Sequence, residues 1–354
     1  MSRFMSKRFA GMEAYTPGEQ PRDRVYVKLN TNESPFPPSP EVLEAVNRAE
    51  VEQLNLYPDP ECKVLREKLA QRYEVKPENV FVSNGSDDIL NFAFMAFCDE
   101  DRPVAFPEVS YGFYPVYARL YGLDALEVPL KEGFVLDAED YLNLGRTIVI
   151  ANPNAPSGRA IPVSDIRRIL ESNPDQVVVI DEAYVDFGAE SCVPLTREYE
   201  NLLVCMTFSK SRSMAGGRLG FAIGSAELIG DLNTIKYSTN PYNINRLTMA
   251  AGIATLDSDS YYKDCCRKIM ENREYTVKEL EKLGFETIPS VANFIFTRCP
   301  GMAGGALYQA LRNKGVLVRH WEKEGLRDYL RITIGSKEQM DVLLKAVDEI
   351  LKGV

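Results

Sequence analysis

Seven short apolar runs punctuate the chain: residues 79–83 (NVFVS), 103–106 (PVAF), 125–130 (ALEVPL), 147–152 (TIVIAN), 177–181 (VVVID), 202–208 (LLVCMTF) and 219–224 (LGFAIG). Several are apolar without alternation, the pattern of strands covered on both faces. Helical or loop segments separate most of them, so an α/β fold with a mostly parallel seven-stranded sheet flanked by helices is expected. A helix is predicted after Pro40 (PEVLEAVNRAE) and another after Pro60, where Leu65, Leu69 and Tyr73 recur at helical spacing. Residues 258–283 read as one long polar-apolar helix, a natural connector between lobes. After it come a strand (ANFIFT), a helix (GALYQALRNKG), two strands (GVLVR and YLRITIG) and a closing helix from Lys337, a smaller α/β unit of its own. The expected division is an irregular, Pro-rich arm over 1–40, a large domain over 41–250 and a small one over 251–354.

Composition narrows the partners. With 45% hydrophobic and 26% charged residues, the 354-residue chain has the make-up of a soluble globular protein long enough for two lobes. A net charge of −10 argues against nucleic acid or an anionic membrane as partner. No apolar run approaches a membrane span, and the start MSRFMSKRFAGMEAY lacks the apolar core of a signal peptide. Seven scattered cysteines without a C-x-x-C pair suit free thiols and a cytoplasmic setting; Cys265 and Cys266, in the long helix, read as structural. His320 is the single histidine, which excludes a His-based metal cluster, and no metal site is expected. The chemistry must rest on Lys, Tyr, Asp and Arg, or on a cofactor.

Four motifs carry that chemistry, each at the end of an apolar run. In T-F-S-K-S-R-S-M-A-G-G-R-L-G (207–220), Lys210 at a strand end suits a lysine that forms a Schiff base, and Ser209 with Arg218 suits a phosphate cup. The plain alternative is a surface lysine in a Ser-rich loop. In V-V-V-I-D-E-A-Y (177–184), an Asp closing a buried strand is costly without a cation or hydrogen bonds, and a protonated ring nitrogen is such a partner. Asp181 as a helix cap is the alternative. S-N-G-S-D-D-I-L (83–90) puts Gly85, Ser86 and Asp87 at a strand-turn-helix where a phosphate can bind. A-N-P-N-A-P-S-G (151–158) is the fourth. Ligands in open α/β sheets collect at strand carboxyl ends, so the four are expected to share one mouth.

Together these motifs, in this order, resemble the fold-type I pyridoxal-phosphate aminotransferases. Y-T-P-G (15–18), L-N-T-N-E-S-P (29–35), Y-P-D (57–59) and L-R-I-T-I-G (330–335) make the closer resemblance one to the histidinol-phosphate aminotransferases, along essentially the whole chain. The resemblance implies pyridoxal 5'-phosphate as cofactor. Lys210 would be its Schiff-base lysine and a mover of protons, Asp181 the partner of its ring nitrogen, and Tyr184 that of its phenolic oxygen. Gly85, Ser86, Asp87, Ser209 and Arg218 would meet its phosphate, and Tyr111 would stack on its ring. Tyr57 matches a tyrosine that reaches the neighbour's phosphate, implying a homodimer with shared sites and an arm that packs on the small domain and the neighbour. Arg331 would grip the substrate's anionic end, with Arg319, Tyr15 and Asn32 beside it. One position departs from the family pattern: N-N-P-T-G is N-A-P-S-G here, so Ala155 stands where an Asn bonds the phenolic oxygen. Either Asn154 substitutes by a small backbone shift or Tyr184 acts alone.

The implied reaction is that of a phosphorylated amino alcohol, L-histidinol phosphate, with 2-oxoglutarate to give imidazole-acetol phosphate and glutamate, run from right to left in histidine biosynthesis. Threonine-phosphate decarboxylases and aromatic aminotransferases share most of the motifs, and fold alone does not separate them. A pyridoxal-phosphate-binding regulator would need a DNA-binding module, and no basic helix-turn-helix fits before residue 40.

Overall fold

The structure is a computed structural model that describes Met5 and residues 15–353. All seven apolar runs form strands of one sheet, in the order Val80–Ser83, Gly220–Ile223, Leu202–Thr207, Val178–Asp181, Thr147–Ala151, Val104–Pro107 and Ala125–Val128. Only Gly220–Ile223 runs against its neighbours. The apolar runs lack alternation because both faces are covered. Ile148, Ile150, Val178 and Ile180 point into one core with helices Lys63–Tyr73 and Val163–Ser172, while Val149, Ala151 and Val179 point into another with Ser86–Phe97 and Tyr114–Tyr121. Each such side chain contributes roughly 1.5–3 kcal/mol by leaving water. The outer strand Ala125–Val128 exposes its first three residues, as an edge does.

A second sheet, antiparallel, has the order Arg319–His320, Tyr329–Thr333, Phe294–Arg298, Glu286–Ile288. Helices Asp259–Lys282, Gly304–Asn313 and Lys337–Leu351 join it in a third core. The long helix buries Tyr262, Cys265, Cys266, Ile269, Arg273, Thr276 and Leu280, a stripe at three- and four-residue steps. Its Arg273 donates to the carbonyls of Phe187 and Ala292, tying one unit to the other. All seven cysteines are free and buried. Among the described residues no helix is long and apolar enough to cross a membrane.

Three elements differ from expectation. The helix after Pro40 stops at Ala45 and a new one runs Arg48–Glu52. β-branched Val46 leaves helical geometry, and Asn47 accepts the N–H of Glu50 as a fresh cap. The run GVLVR serves two sheets: Val316–Leu317 pairs in parallel with Val27–Lys28, and Arg319–His320 pairs with Tyr329–Thr333. The arm is therefore not wholly irregular. Residues 1–4 and 6–14 of it lie outside the described residues.

Candidate active site

The six strands of the large sheet that run in one direction deliver their carboxyl ends to one side, and two contiguous cavities open there. One, of about 260 Å³, is lined by Ser86, Asp87, Tyr111, Asp181, Tyr184, Ser209, Lys210 and Arg218, among others. The other, of about 650 Å³, includes Tyr15, Asn32, Arg319, Trp321 and Arg331. Thr31, Tyr111, Ala155, Tyr184 and Lys210 face both. Most of the sequence-selected residues thus converge on a single mouth.

At the smaller cavity the glycine turn comes first. Gly85 has φ +88, and a Cβ on Gly220 would lie 2.6 Å from the Gly85 carbonyl carbon, so only glycine lets the strand pass this close. The turn starts helix Ser86–Phe97 with no side-chain cap, leaving its first N–H groups facing the site. Arg218, itself in the left-handed region at φ 52, sends Nη2 to Asp87 Oδ2 at 3.0 Å and Nη1 to Ser209 Oγ at 3.4 Å. Tyr111 Oη donates to Asp87 Oδ1 at 2.6 Å. A helix start, a guanidinium and two hydroxyls make a cup for a phosphate.

Asp181 is buried at the end of its strand. It accepts Tyr114 Oη at 3.0 Å and the Ala183 N–H at 3.2 Å. Burial pushes its carboxyl up to about 6 despite those bonds and Lys210 nearby. Two hydrogen bonds do not offset the lost solvation, so a cation fits beside it. Its neighbour Glu182 points away, onto Ser191 Oγ and the Cys192 N–H, and burial pushes it up to about 7. Lys210 Nζ lies 3.4 Å from the Thr31 carbonyl and 5.8 Å from the Tyr184 ring centre. These residues fit pyridoxal phosphate: a buried carboxylate for a ring cation, a phosphate cup, a phenol and an amine.

The arm and the second sheet build the other end. Asn32, in the left-handed region at φ 55, is held by Thr333 and Asn293 and donates its amide to Tyr184 Oη at 3.0 Å. Arg319 and Arg331 face each other across paired strands, a like-charge arrangement that is destabilising by itself. Arg331 is half-buried in its strand, donates to the Asn30 carbonyl at 3.1 Å, and has a buried Nε without a partner. Arg319 donates to the Thr16 and Pro17 carbonyls, and Tyr15 packs on Phe113 with ring centres 4.4 Å apart. Among the described residues neither arginine has a carboxylate partner, whereas Arg218 has Asp87.

Three residues stand elsewhere. Asn154 lines neither cavity: its amide donates to the Val109 carbonyl at 2.9 Å and accepts from Ser110 Oγ at 2.7 Å. Those bonds spend the side chain on the loop carrying Tyr111, an arrangement that favours Tyr184 acting alone at the position of Ala155. Gly85 contributes backbone only. Tyr57 is 79% exposed and stacks on Tyr242 at 4.5 Å, away from both cavities of its own chain. Sequence reasoning missed Tyr114, Thr31 and Trp321. Trp321 had a signal, being the chain's single tryptophan beside Arg319; Tyr114 and Thr31 had none.

The comparisons with known proteins agree with this architecture. The family described as aminotransferase class I and II matches residues 24–347. A histidinol-phosphate aminotransferase of Brachyspira hyodysenteriae is 46% identical over 353 residues, covering 99% of this chain and 100% of that protein. Another, of Marinomonas sp., is 47% identical over 350 residues, covering 98% and 99%. The solved histidinol-phosphate aminotransferase from Sinorhizobium meliloti, in complex with pyridoxal-5'-phosphate, shares the fold with a TM-score of 0.84 at 24% identity, covering 93% of this chain and 92% of that one. A match of this extent leaves no doubt about kinship: the chain belongs to the class I and II aminotransferase family.

Proposed function

We propose that the chain transfers an amino group between L-histidinol phosphate and 2-oxoglutarate with pyridoxal 5'-phosphate as cofactor, the activity its relatives are named for. The observation that carries the substrate is the Arg319–Arg331 pair: two guanidinia opposed across a strand pair, without a carboxylate, in a cavity continuous with Lys210. Such a pair calls for an anion with several acceptor oxygens, which a phosphate supplies. When bound, the cofactor supplies an aldehyde that condenses with amines and a ring that withdraws electrons from the substrate carbon.

The chain's own groups do the rest. Lys210 Nζ takes a proton from the substrate carbon and returns one, as base and then acid. Asp181 keeps the ring nitrogen protonated, the role that suits a buried carboxylate lacking a cation. Tyr184, its Oη already accepting from Asn32, would donate to the phenolic oxygen. Ser86, Ser209 and Arg218 would hold the cofactor's phosphate, with the Tyr111 ring as a stacking surface for its ring. Arg331 binds the carboxylate of glutamate or the phosphate of histidinol phosphate by turns, with Arg319 and Tyr15 serving the phosphate.

The working unit in this reading is a homodimer in the cytoplasm. Leu43, Leu54, Leu56, Tyr57, Val64 and Tyr242 are exposed, with Tyr57 stacked on Tyr242, and exposed large apolar side chains of this kind suit burial against a second copy. Tyr57 would then serve the partner's site. Seven buried free thiols accord with a reducing compartment. The deciding assay offers purified protein L-histidinol phosphate and 2-oxoglutarate and measures glutamate formed, with carbon-dioxide release from threonine phosphate as the contrast. Glutamate formation is expected; decarboxylation without transamination would move the chain to a sister activity. For the dimer, Tyr57→Phe chains mixed with Lys210→Ala chains should exceed the summed activity of the parents, and strict additivity would count against shared sites.

A further inference from the structure

We infer that Trp321 is a positioning residue for the anion-binding end of the site, its indole holding the Arg319 and Arg331 guanidinia without itself occupying their N–H donors. The inference rests on the substrate reading above only for which amino substrate brings the anion. Arg331 Cζ lies 5.4 Å from the ring centres of both Phe294 and Trp321, and Arg319 Cζ lies 5.5 Å from Trp321. One indole is therefore shared by two cations that oppose each other across the strands. The indole also lines the larger cavity.

The physical case turns on what else could hold such a pair. A carboxylate would neutralise it, but it would occupy the guanidinium donors and have to be displaced by every incoming anion. An aromatic face attracts a cation through its quadrupole and accepts none of the in-plane N–H groups, and tryptophan is the strongest of the three rings at this. The arrangement found here has the second form: ring faces, three backbone carbonyls and no carboxylate. The indole is itself fixed. It follows strand Arg319–His320 directly and packs edge-on to Phe296 at 6.4 Å. The loop beyond it is tied across the cavity mouth by Lys323 Nζ on the Glu108 carbonyl at 3.2 Å, and at its base by His320 Nε2 against the Arg327 carbonyl at 2.8 Å.

The test uses the cofactor-loaded protein and inorganic phosphate, so that the cofactor's own phosphate cup is filled. Because Trp321 is the single tryptophan, its emission reports this end of the site. Wild-type emission should change saturably with phosphate, and Arg331→Leu should abolish the change. Calorimetry should then give phosphate binding weakened on the order of tenfold in Trp321→Leu and restored to within about threefold in Trp321→Phe, since phenylalanine keeps a ring face. With the amino substrate, Trp321→Leu should raise KM by a similar factor while kcat changes less than about threefold. Unchanged phosphate affinity in Trp321→Leu would overturn the inference. So would equal losses in Leu and Phe variants together with a lowered Tm, the signature of a space-filling role. A wild-type protein that binds phosphate with the emission change but does not transaminate histidinol phosphate would sink the substrate reading and leave the role of Trp321 standing.

Discussion

The two ends of the site treat charge in opposite ways. At the cofactor end the charged side chains of the cup and the strand end hold side-chain partners: Arg218 has Asp87, Asp87 also has Tyr111, and Asp181 has the Tyr114 hydroxyl. At the substrate end Arg319 and Arg331 repel each other and are met by carbonyls and ring faces alone. The contrast fits the two tasks. A cofactor that stays bound can tolerate partners that rearrange once, whereas a substrate that leaves every cycle is better served by guanidinia that no carboxylate holds.

The largest blow to the comparison comes from the group between the two ends. Lys210→Ala should lower turnover by roughly 10⁴-fold or more and remove the visible absorbance of the lysine-linked cofactor, as followed by stopped-flow rates and spectra. Activity near wild type would undo the reading of both ends together.

Arg331→Leu attacks the substrate end. Losing the partner of a desolvated anion should cost about 2–5 kcal/mol of transition-state binding, in both half-reactions. Arg319→Leu should damage the histidinol-phosphate half and largely spare glutamate. Single-turnover rates with each substrate separate the two, and equal losses for Arg319→Leu would defeat the division. The same variant sharpens the contrast in stability. With no ligand, Arg331→Leu should stabilise the fold by roughly 1–3 kcal/mol and so raise Tm, because a half-buried guanidinium with an unpaired Nε is gone. Arg218→Leu should change less, since its pair with Asp87 is partly exposed and screened by solvent.

Asp181 offers a pH test of the cofactor end. Its folded pKa, raised to about 6, exceeds the unfolded value, so the folded state binds more protons between about pH 4 and 6. The stability this lends is fully present below about pH 4 and lost as pH rises through about 6, on the order of 3 kcal/mol. Cofactor-free Asp181→Asn should therefore melt above wild type at pH 8, with the gap closing on acidification; Glu182→Gln should behave alike, closing from about pH 7. With cofactor, Asp181→Asn should keep its fold and lose rate, by roughly 10²–10³-fold if the carboxylate holds the ring proton. A flat Tm difference across pH would show that Asp181 is not the titrating group.

The smallest effect belongs to Asn154→Ala. It frees Ser110 and the Val109 carbonyl from a clamp of two hydrogen bonds, about 1 kcal/mol each. Cofactor affinity should fall no more than about tenfold, through a looser Tyr111. A loss of several orders of magnitude would mean that Asn154 reaches the cofactor after all.

Much of this was legible in the chain because the informative residues sit within a few positions of strand ends. Asp181 closes V-V-V-I-D, Lys210 follows LLVCMTF, and Ser86 opens the helix after NVFVS. Parallel strands all open to one side, so local pattern plus that single topological rule predicts a shared mouth. The broken helix at Val46 and the split run GVLVR were not legible, since each depends on which neighbour offers a cap or a free edge.

What the sequence determined alone, then, is the large sheet with its apolar strands covered on both faces, and the Lys, Asp and Ser–Arg motifs at their ends. Only the tertiary structure decided that Asn154 turns to Ser110, that Asn32 reaches Tyr184 from the arm, and that Trp321 lies against two arginines. Those choices depend on strand register and on competition among hydrogen-bond and charge partners brought together from distant parts of the chain. A spacing pattern encodes which face a residue takes, but not which of several partners will meet it there.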